Sequence, residues 1–238
     1  MEGIRINKYI SQCGYCSRRE ADRLLDEGKV FINHSRASLG TRVYPNDIIE
    51  IDGKALTPMA KEIILAFHKP AGVVCTTSKK EPHNVIDYLN LKERVYPVGR
   101  LDKASTGLLL LTNNGQLMDD ILRGSNLHEK EYVVTVDKPM SPAIYKAMEQ
   151  GVPILNTMTR PCRITNRSEY RFHIIITQGL NRQIRRMCEY FGYHVRTLKR
   201  LRILNIELGD LPEGKWRYLT EDEIKQLKEI ASKKGKKR

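Results

Sequence analysis

No stretch of the chain approaches the roughly 18 consecutive apolar residues of a bilayer-spanning helix. Its opening, Met1-Glu2-Gly3-Ile4-Arg5-Ile6-Asn7, lacks the apolar core of a signal peptide. A cytoplasmic protein with no membrane partner is the expectation. Cysteine is scarce and scattered. Cys13, Cys16, Cys75, Cys162 and Cys188 are odd in number, which argues for reduced thiols rather than a disulfide framework. Cys13 and Cys16 form a C-x-x-C, but no second pair or nearby histidine pair completes a zinc site. Core packing is the plainer reading. Acidic residues are outnumbered, 28 against 41 basic ones, for a net charge of +13. That excess points to a polyanionic partner, nucleic acid before an anionic membrane surface. No G-x-x-x-x-G-K-[ST] phosphate loop and no cluster of metal-ligand spacing is present.

The 238 residues leave room for one large or two small domains. Ile6, Tyr9, Ile10 and Cys13 recur at helical spacing before Gly14. Ser17 and Glu20 form a capping box for a second helix, with apolar face Ala21, Leu24 and Leu25 and its end at Gly28. Strands follow at Val30-Phe31-Ile32 and around Ile48-Ile49-Glu50-Ile51, the latter closed by Asp52-Gly53. Arg18, Arg19 and Arg23 lie at the helix start and on its polar side. Such charges usually form a solvated face, but arginines at a helix N-terminus oppose its dipole, which favours a functional role. Residues 54–61 lose periodicity and contain Pro58; they read as a linker.

From residue 62 onward, strands interleave with irregularly spaced helices. Strands are expected at 63–67, 73–75, 131–136 and 170–176, with late ones at His194-Val195 and 203–206. Helices are expected at 84–91, 116–122, 141–150 and 183–191, with a short one from Glu221. This order predicts an α+β fold with a mixed, largely antiparallel sheet flanked by helices.

The chain is organised around Gly99-Arg100-Leu101-Asp102-Lys103-Ala104-Ser105-Thr106-Gly107-Leu108-Leu109-Leu110-Leu111-Thr112. A short polar turn carries one carboxylate, Asp102, and an apolar run follows that reads as a strand buried on both faces. A loop pinned against a rigid strand is where catalytic groups tend to sit. The bland alternative is an Asx turn, with Asp102 bonding its own backbone.

The densest basic stretch is Leu180-Asn181-Arg182-Gln183-Ile184-Arg185-Arg186-Met187. At helical spacing Arg182, Arg185 and Arg186 share one face, while Ile184, Met187 and Cys188 turn to the core. Three arginines on one face favour an anionic partner, and one aimed at Asp102 would keep that carboxylate ionised. Tyr132 opens an apolar strand. Spacing alone favours sheet packing for it; the functional alternative is a ring that stacks on a base.

Two family resemblances add to this reading. Arg5-Ile6-Asn7-Lys8-Tyr9-Ile10, Cys16-Ser17-Arg18-Arg19-Glu20-Ala21-Asp22 and Gly28-Lys29-Val30-Phe31-Ile32-Asn33 resemble the S4 RNA-binding domain. The central stretch, Glu129-Lys130-Glu131-Tyr132 and Gln178-Gly179-Leu180-Asn181-Arg182-Gln183-Ile184-Arg185-Arg186-Met187 are similar to the bacterial ribosomal-RNA pseudouridine synthases of the RsuA group. Within that group the run from His128 to Pro139 is most like the RluF type. The resemblance implies an S4-like domain at 1–53, a linker at 54–61, a catalytic domain at 62–230 and a basic tail at 231–238.

It further implies isomerisation of uridine to pseudouridine in large-subunit ribosomal RNA, with a tRNA as a conceivable second substrate, by a monomer. Asp102 is then the catalytic carboxylate, Tyr132 packs on the target uracil and Arg185 pairs with Asp102. Arg5, Lys8, Arg18, Arg19, Arg23, Arg100, Arg182 and Arg186 are the implied RNA contacts. Breaking and remaking one glycosidic bond involves no redox change, so no cofactor or metal is expected. The base must leave its stack, so flipping is expected. A non-catalytic RNA-binding or ribosome-assembly protein would need no carboxylate, tyrosine and arginine at one place. A DNA-binding protein would need a recognition helix on a symmetric dimer, and no dimerisation heptad is seen.

Overall fold

The computed structural model describes residues 3–57, 61–78, 80–123 and 127–232. The expected basic tail lies almost wholly outside the described residues, as does Pro58 of the expected linker. Contacts divide the chain into two compact units, one running to Glu62 with Lys92–Arg94 joined to it, the other comprising Ile63–Leu91 and Val95–Arg238.

In the first unit β1 (Ile4–Arg5) leads into α1 (Ile6–Gln12) and α2 (Arg18–Asp26), followed by β2 (Val30–Ile32), β3 (Ser35–Arg36), β4 (Arg42–Val43), β5 (Ile49–Ile51) and β6 (Lys54–Ala55). Ile6 and Ile10 of α1 meet Ala21, Leu24 and Leu25 of α2 and Val30, Ile49 and Ile51 of the strands in one core. The side chain of Ser17 caps α2 by accepting from the Glu20 N–H at 3.1 Å. Strands pair in the order β3-β2-β5-β6. The chain continues in the sheet past the turn that closes β5. Asp52 and Gly53 both take positive φ, 51° and 73°, the geometry of a two-residue hairpin turn, and Lys54–Ala55 pairs back on β5. The start of the expected linker is thus an edge strand. Two polar-flanked residues held by backbone bonds carry no hydrophobic signal.

The second unit contains β7 (Ile64–Lys69), α3 (Val85–Leu89), β8 (Tyr96–Val98), β9 (Thr106–Thr112), α4 (Gly115–Leu122), β10 (Lys130–Val136), α5 (Pro142–Gln150), β11 (Pro153–Ile154), β12 (Thr157–Met158), β13 (Arg163–Thr165), β14 (Arg171–Ile176), α6 (Gln183–Tyr190), β15 (Val195–Ile203), β16 (Ile206–Glu207), β17 (Trp216–Tyr218) and α7 (Glu221–Ser232). The main sheet runs β13-β14-β10-β15-β9-β7-β17, with β8 on β9 and β16 on β15. Its described pairings are antiparallel except for β15 with β9. The mixed, largely antiparallel sheet is as expected.

The leucine run of β9 sits at the centre. Leu109 and Leu111 face a core shared with α3, α5 and α6. Leu108 and Leu110 face a second core shared with α4 and α7. All four are fully buried, each stabilising the fold by about 1.5–3 kcal/mol. This rigid strand carries the Asp102 loop at its start. Where β9 and β15 meet, Gly107 has φ +104°, and a Cβ there would lie 2.3 Å from the Arg200 carbonyl oxygen. Only glycine permits that approach.

Three further expectations need correction. Val73-Val74-Cys75 forms no strand, only a bridge from Val74 to Asn84; Val73 and Cys75 are buried as loop anchors. The two late strands begin as a single nine-residue β15, whose charged middle hid its periodicity. The last helix, expected to be short, runs twelve residues.

Candidate active site

Asp102 lies on the loop between β8 and β9, and backbone contacts fix that loop. The Ser105 N–H donates to the Asp102 carbonyl at 3.0 Å, and the Gly72 N–H to the Lys103 carbonyl at 2.8 Å. The Leu101 N–H points at Cys75 Sγ, 3.3 Å away. Beneath the loop is Lys69, with no exposed surface. Its Nζ donates to the carbonyls of Pro70 (2.6 Å), Val73 (2.8 Å) and Lys103 (3.4 Å). Desolvation pushes the Lys69 ammonium below its ordinary range. The Asx-turn alternative fails: the turn uses the carbonyl of Asp102, and among the described residues its carboxylate makes no hydrogen bond. The carboxylate side chain keeps 29% of its surface exposed, enough to meet a ligand.

Opposite stands Arg185, whose Nε is 3.5 Å from Asp102 Oδ2. The residue is only 8% exposed. Nη1 donates to the Val195 carbonyl at 3.1 Å and Nη2 to Ser105 Oγ at 3.2 Å. Nε itself makes no hydrogen bond, so the contact with Asp102 is one of charge. The guanidinium is locked by its two other nitrogens and aims its charge at the carboxylate. The shared arginine face expected of α6 does not form. Arg182 is exposed and precedes the helix in a left-handed conformation, φ 50°. Arg186 spends its guanidinium on Asn181, at 3.1 and 3.4 Å. Of the three, Arg185 alone is buried.

Tyr132 and Arg200 are direct partners across β10 and β15. Arg200 is 2% exposed. Its Nε donates to the Leu108 carbonyl at 2.7 Å. Nη1 reaches the Arg100 carbonyl at 3.5 Å and Tyr132 Oη at 3.4 Å. The guanidinium carbon lies 5.9 Å from the Tyr132 ring centre, a cation–π distance. One buried cation therefore ties the tyrosine, the central strand and the catalytic-type loop together. Lys130, two residues before Tyr132 and on the same strand face, donates to the His128 carbonyl at 3.3 Å. Burial, helped by the charge of Arg200, brings its ammonium down to about 8.

These side chains line one cleft of about 440 Å³, walled by Asp102, Ser105, Lys130, Tyr132, Arg182 and Arg200 and also bordered by Arg100. That size suits a small ligand or one base with its sugar. Arg185 backs Asp102 from behind rather than lining the space. Lys69, Lys130 and Arg200 were not picked out from sequence. The local pattern of β15 does not mark Arg200: it stands opposite Tyr132 while Arg202 stands opposite Glu131 across a register shift, so the two arginines lie on different faces.

On the first unit, Arg5, Arg18 and Arg19 are exposed and Lys8 is half-buried. Arg23 is engaged by Glu20 and by Glu27, the latter at 3.7 Å.

A carboxylate held on a rigid loop, faced by a locked arginine and set beside an aromatic ring in one cleft, belongs to an enzyme and not to a plain binding surface. Residues 63–190 match the family described as RNA pseudouridylate synthase, and residues 4–49 match the S4 domain. The chain belongs to the RNA pseudouridine synthases, isomerases that convert uridine to pseudouridine in RNA. It is 50% identical to the dual-specificity RNA pseudouridine synthase RluF of Escherichia coli (strain K12), over 94% of this chain and 78% of that one. It is 31% identical to ribosomal large subunit pseudouridine synthase B of Bacillus subtilis (strain 168), over 95% and 96%. A solved structure described as a pseudouridylate synthase matches with a TM-score of 0.69 at 28% identity, covering 94% of this chain and 99% of that one. No helix among the described residues is long and apolar enough to cross a membrane.

Proposed function

We propose that this isomerase acts on a uridine of large-subunit ribosomal RNA, with Asp102 as its catalytic carboxylate. The observation that carries the reading is the exposed Asp102 carboxylate set 3.5 Å from a locked, buried Arg185. The target nucleotide leaves its stack and enters the cleft, where its uracil packs on Tyr132. The carboxylate of Asp102 drives cleavage of the N1–C1′ bond, the base turns, and C5 joins C1′. Arg185 supplies a fixed positive charge that aims the carboxylate. Arg100 and Arg182 grip the flanking phosphates at the cleft, while Arg5, Lys8, Arg18 and Arg19 hold RNA on the S4 unit. Arg23, shared with two glutamates, and Arg186, held by Asn181, contribute less to that grip. The protein works as a monomer in the cytoplasm and takes a tRNA as a second substrate; the RluF relatives are named dual-specificity RNA enzymes.

A pseudouridine map of ribosomal and transfer RNA from cells lacking this chain tests the substrate. A large-subunit uridine should lose its modification, together with one tRNA position. An unchanged large-subunit map contradicts the reading.

The S4 unit should act on affinity rather than chemistry. Replacing Arg18 and Arg19 by Gln should weaken RNA binding and flatten the log–log salt dependence by about 0.7 to 0.9 per lost phosphate contact. The single-turnover rate at saturating RNA should stay unchanged. Binding titrations across a salt series check this; an unaltered slope removes both residues from the interface.

A further inference from the structure

We propose that Lys130 is the base that removes the C5 proton in the last step of the reaction. The inference rests on the cleft around Asp102 being the reaction site. Once C5 has joined C1′, that carbon holds both the sugar and its original hydrogen. The hydrogen must leave before pseudouridine is formed. This need is the same whether Asp102 has bonded to the sugar or assisted another route.

The cleft offers few groups for the task. Asp102 is placed for the opening step and faces Arg185. Arg100, Arg182 and Arg200 line the cleft but remain cationic. The hydroxyl of Tyr132 accepts from the Arg200 Nη1 at 3.4 Å, which occupies an oxygen lone pair that a proton acceptor would use. Lys130 and Tyr132 line the same cleft from the same strand face, two residues apart on β10. The one described hydrogen bond of Lys130 is to the His128 carbonyl, which leaves the nitrogen lone pair of the neutral amine unused. Its partners across the ladders, Ile176 and Ile203, are apolar. Neighbouring Glu131 turns away to His173 and Arg202, and Glu129 to Arg202, so no carboxylate of its own strand pairs with the ammonium. Desolvation and the charge of Arg200 hold it at about 8, which leaves a neutral fraction near neutral pH. A lysine that served only as a phosphate grip would gain nothing from such surroundings.

The step balances as follows. Neutral Lys130 Nζ takes the proton from C5. The C5–H electron pair restores the C5=C6 double bond, and the C6=N1 pair moves onto N1. N1 is protonated by water, and the Lys130 ammonium returns its proton to solvent.

The test uses the full chain with RNA carrying deuterium at C5 of the target uridine, under single-turnover conditions across a pH series. For the native protein the rate should rise with pH and level off above about 8, because the neutral amine is the active form. Lys130→Met should slow product formation by about 10²- to 10⁴-fold, abolish that limb and make the rate sensitive to the deuterium. Lys130→Arg should be as slow, since it restores charge but no base. Small primary amines added to Lys130→Ala should restore part of the rate. Activity near native in Lys130→Arg would make the residue a cationic grip and overturn the proposal. So would a Lys130→Met rate within a few-fold of native, or a pH limb that survives in it. If Asp102→Asn is inactive while the Lys130 variants are normal, this inference falls and the Asp102 reading stands.

Discussion

Arg185→Met should slow pseudouridine formation by about 10²- to 10³-fold, the usual loss when one preorganised charge is removed. RNA affinity should change by less than about tenfold, or 1.4 kcal/mol. The two effects separate because of where the guanidinium lies. It is 8% exposed and sits behind Asp102 instead of at the rim, so phosphates do not reach it. Its charge acts at short range, in surroundings where solvent screens weakly. Met keeps the buried bulk of the side-chain stem but leaves the Val195 carbonyl and Ser105 Oγ without their donors. That should lower stability by about 1–3 kcal/mol, which a melting curve reads apart from the kinetics. Single-turnover rates at saturating RNA and a binding titration in salt provide the check. A normal rate with a flattened salt slope would make Arg185 a phosphate contact and remove it from the chemistry.

The site was legible in sequence to the extent that its residues stand in local patterns. The leucine run marked a buried strand, and the polar turn before it marked Asp102. The helical spacing of Ile184, Met187 and Cys188 placed Arg185 at the core edge. Pairing and register were less visible, since they depend on residues far apart in the chain. Arg200 is buried because β15 runs beside both β9 and β10, and nothing near residue 200 announces that neighbour. Lys69 ends a strand whose first four residues are apolar and is buried because three carbonyls of two loops converge on its ammonium. The arginine stripe on α6 failed at two residues, since Arg182 takes a left-handed conformation before the helix begins and Arg186 folds onto Asn181. The edge strand Lys54–Ala55 carries no hydrophobic pattern, since both residues are exposed and backbone bonds pair them to β5.

Asp102→Asn should reduce pseudouridine formation to background, by at least about 10⁴-fold, while leaving fold and RNA affinity nearly unchanged. Asn has almost the shape of Asp but cannot carry the charge or form the bond. The loop should not move. Its contacts run through the Asp102 and Lys103 carbonyls and the Leu101 N–H, none of which needs the carboxylate. Arg185 keeps its bonds to Val195 and Ser105, so the cleft should retain its walls. The direct measurement is single-turnover conversion of a large-subunit ribosomal RNA substrate by the native protein and by Asp102→Asn, with RNA binding followed in the same samples. The expected result is one uridine converted by the native protein, none by the variant, and equal binding by both. Conversion by Asp102→Asn at a rate near native would contradict the assignment of Asp102 as the catalytic carboxylate.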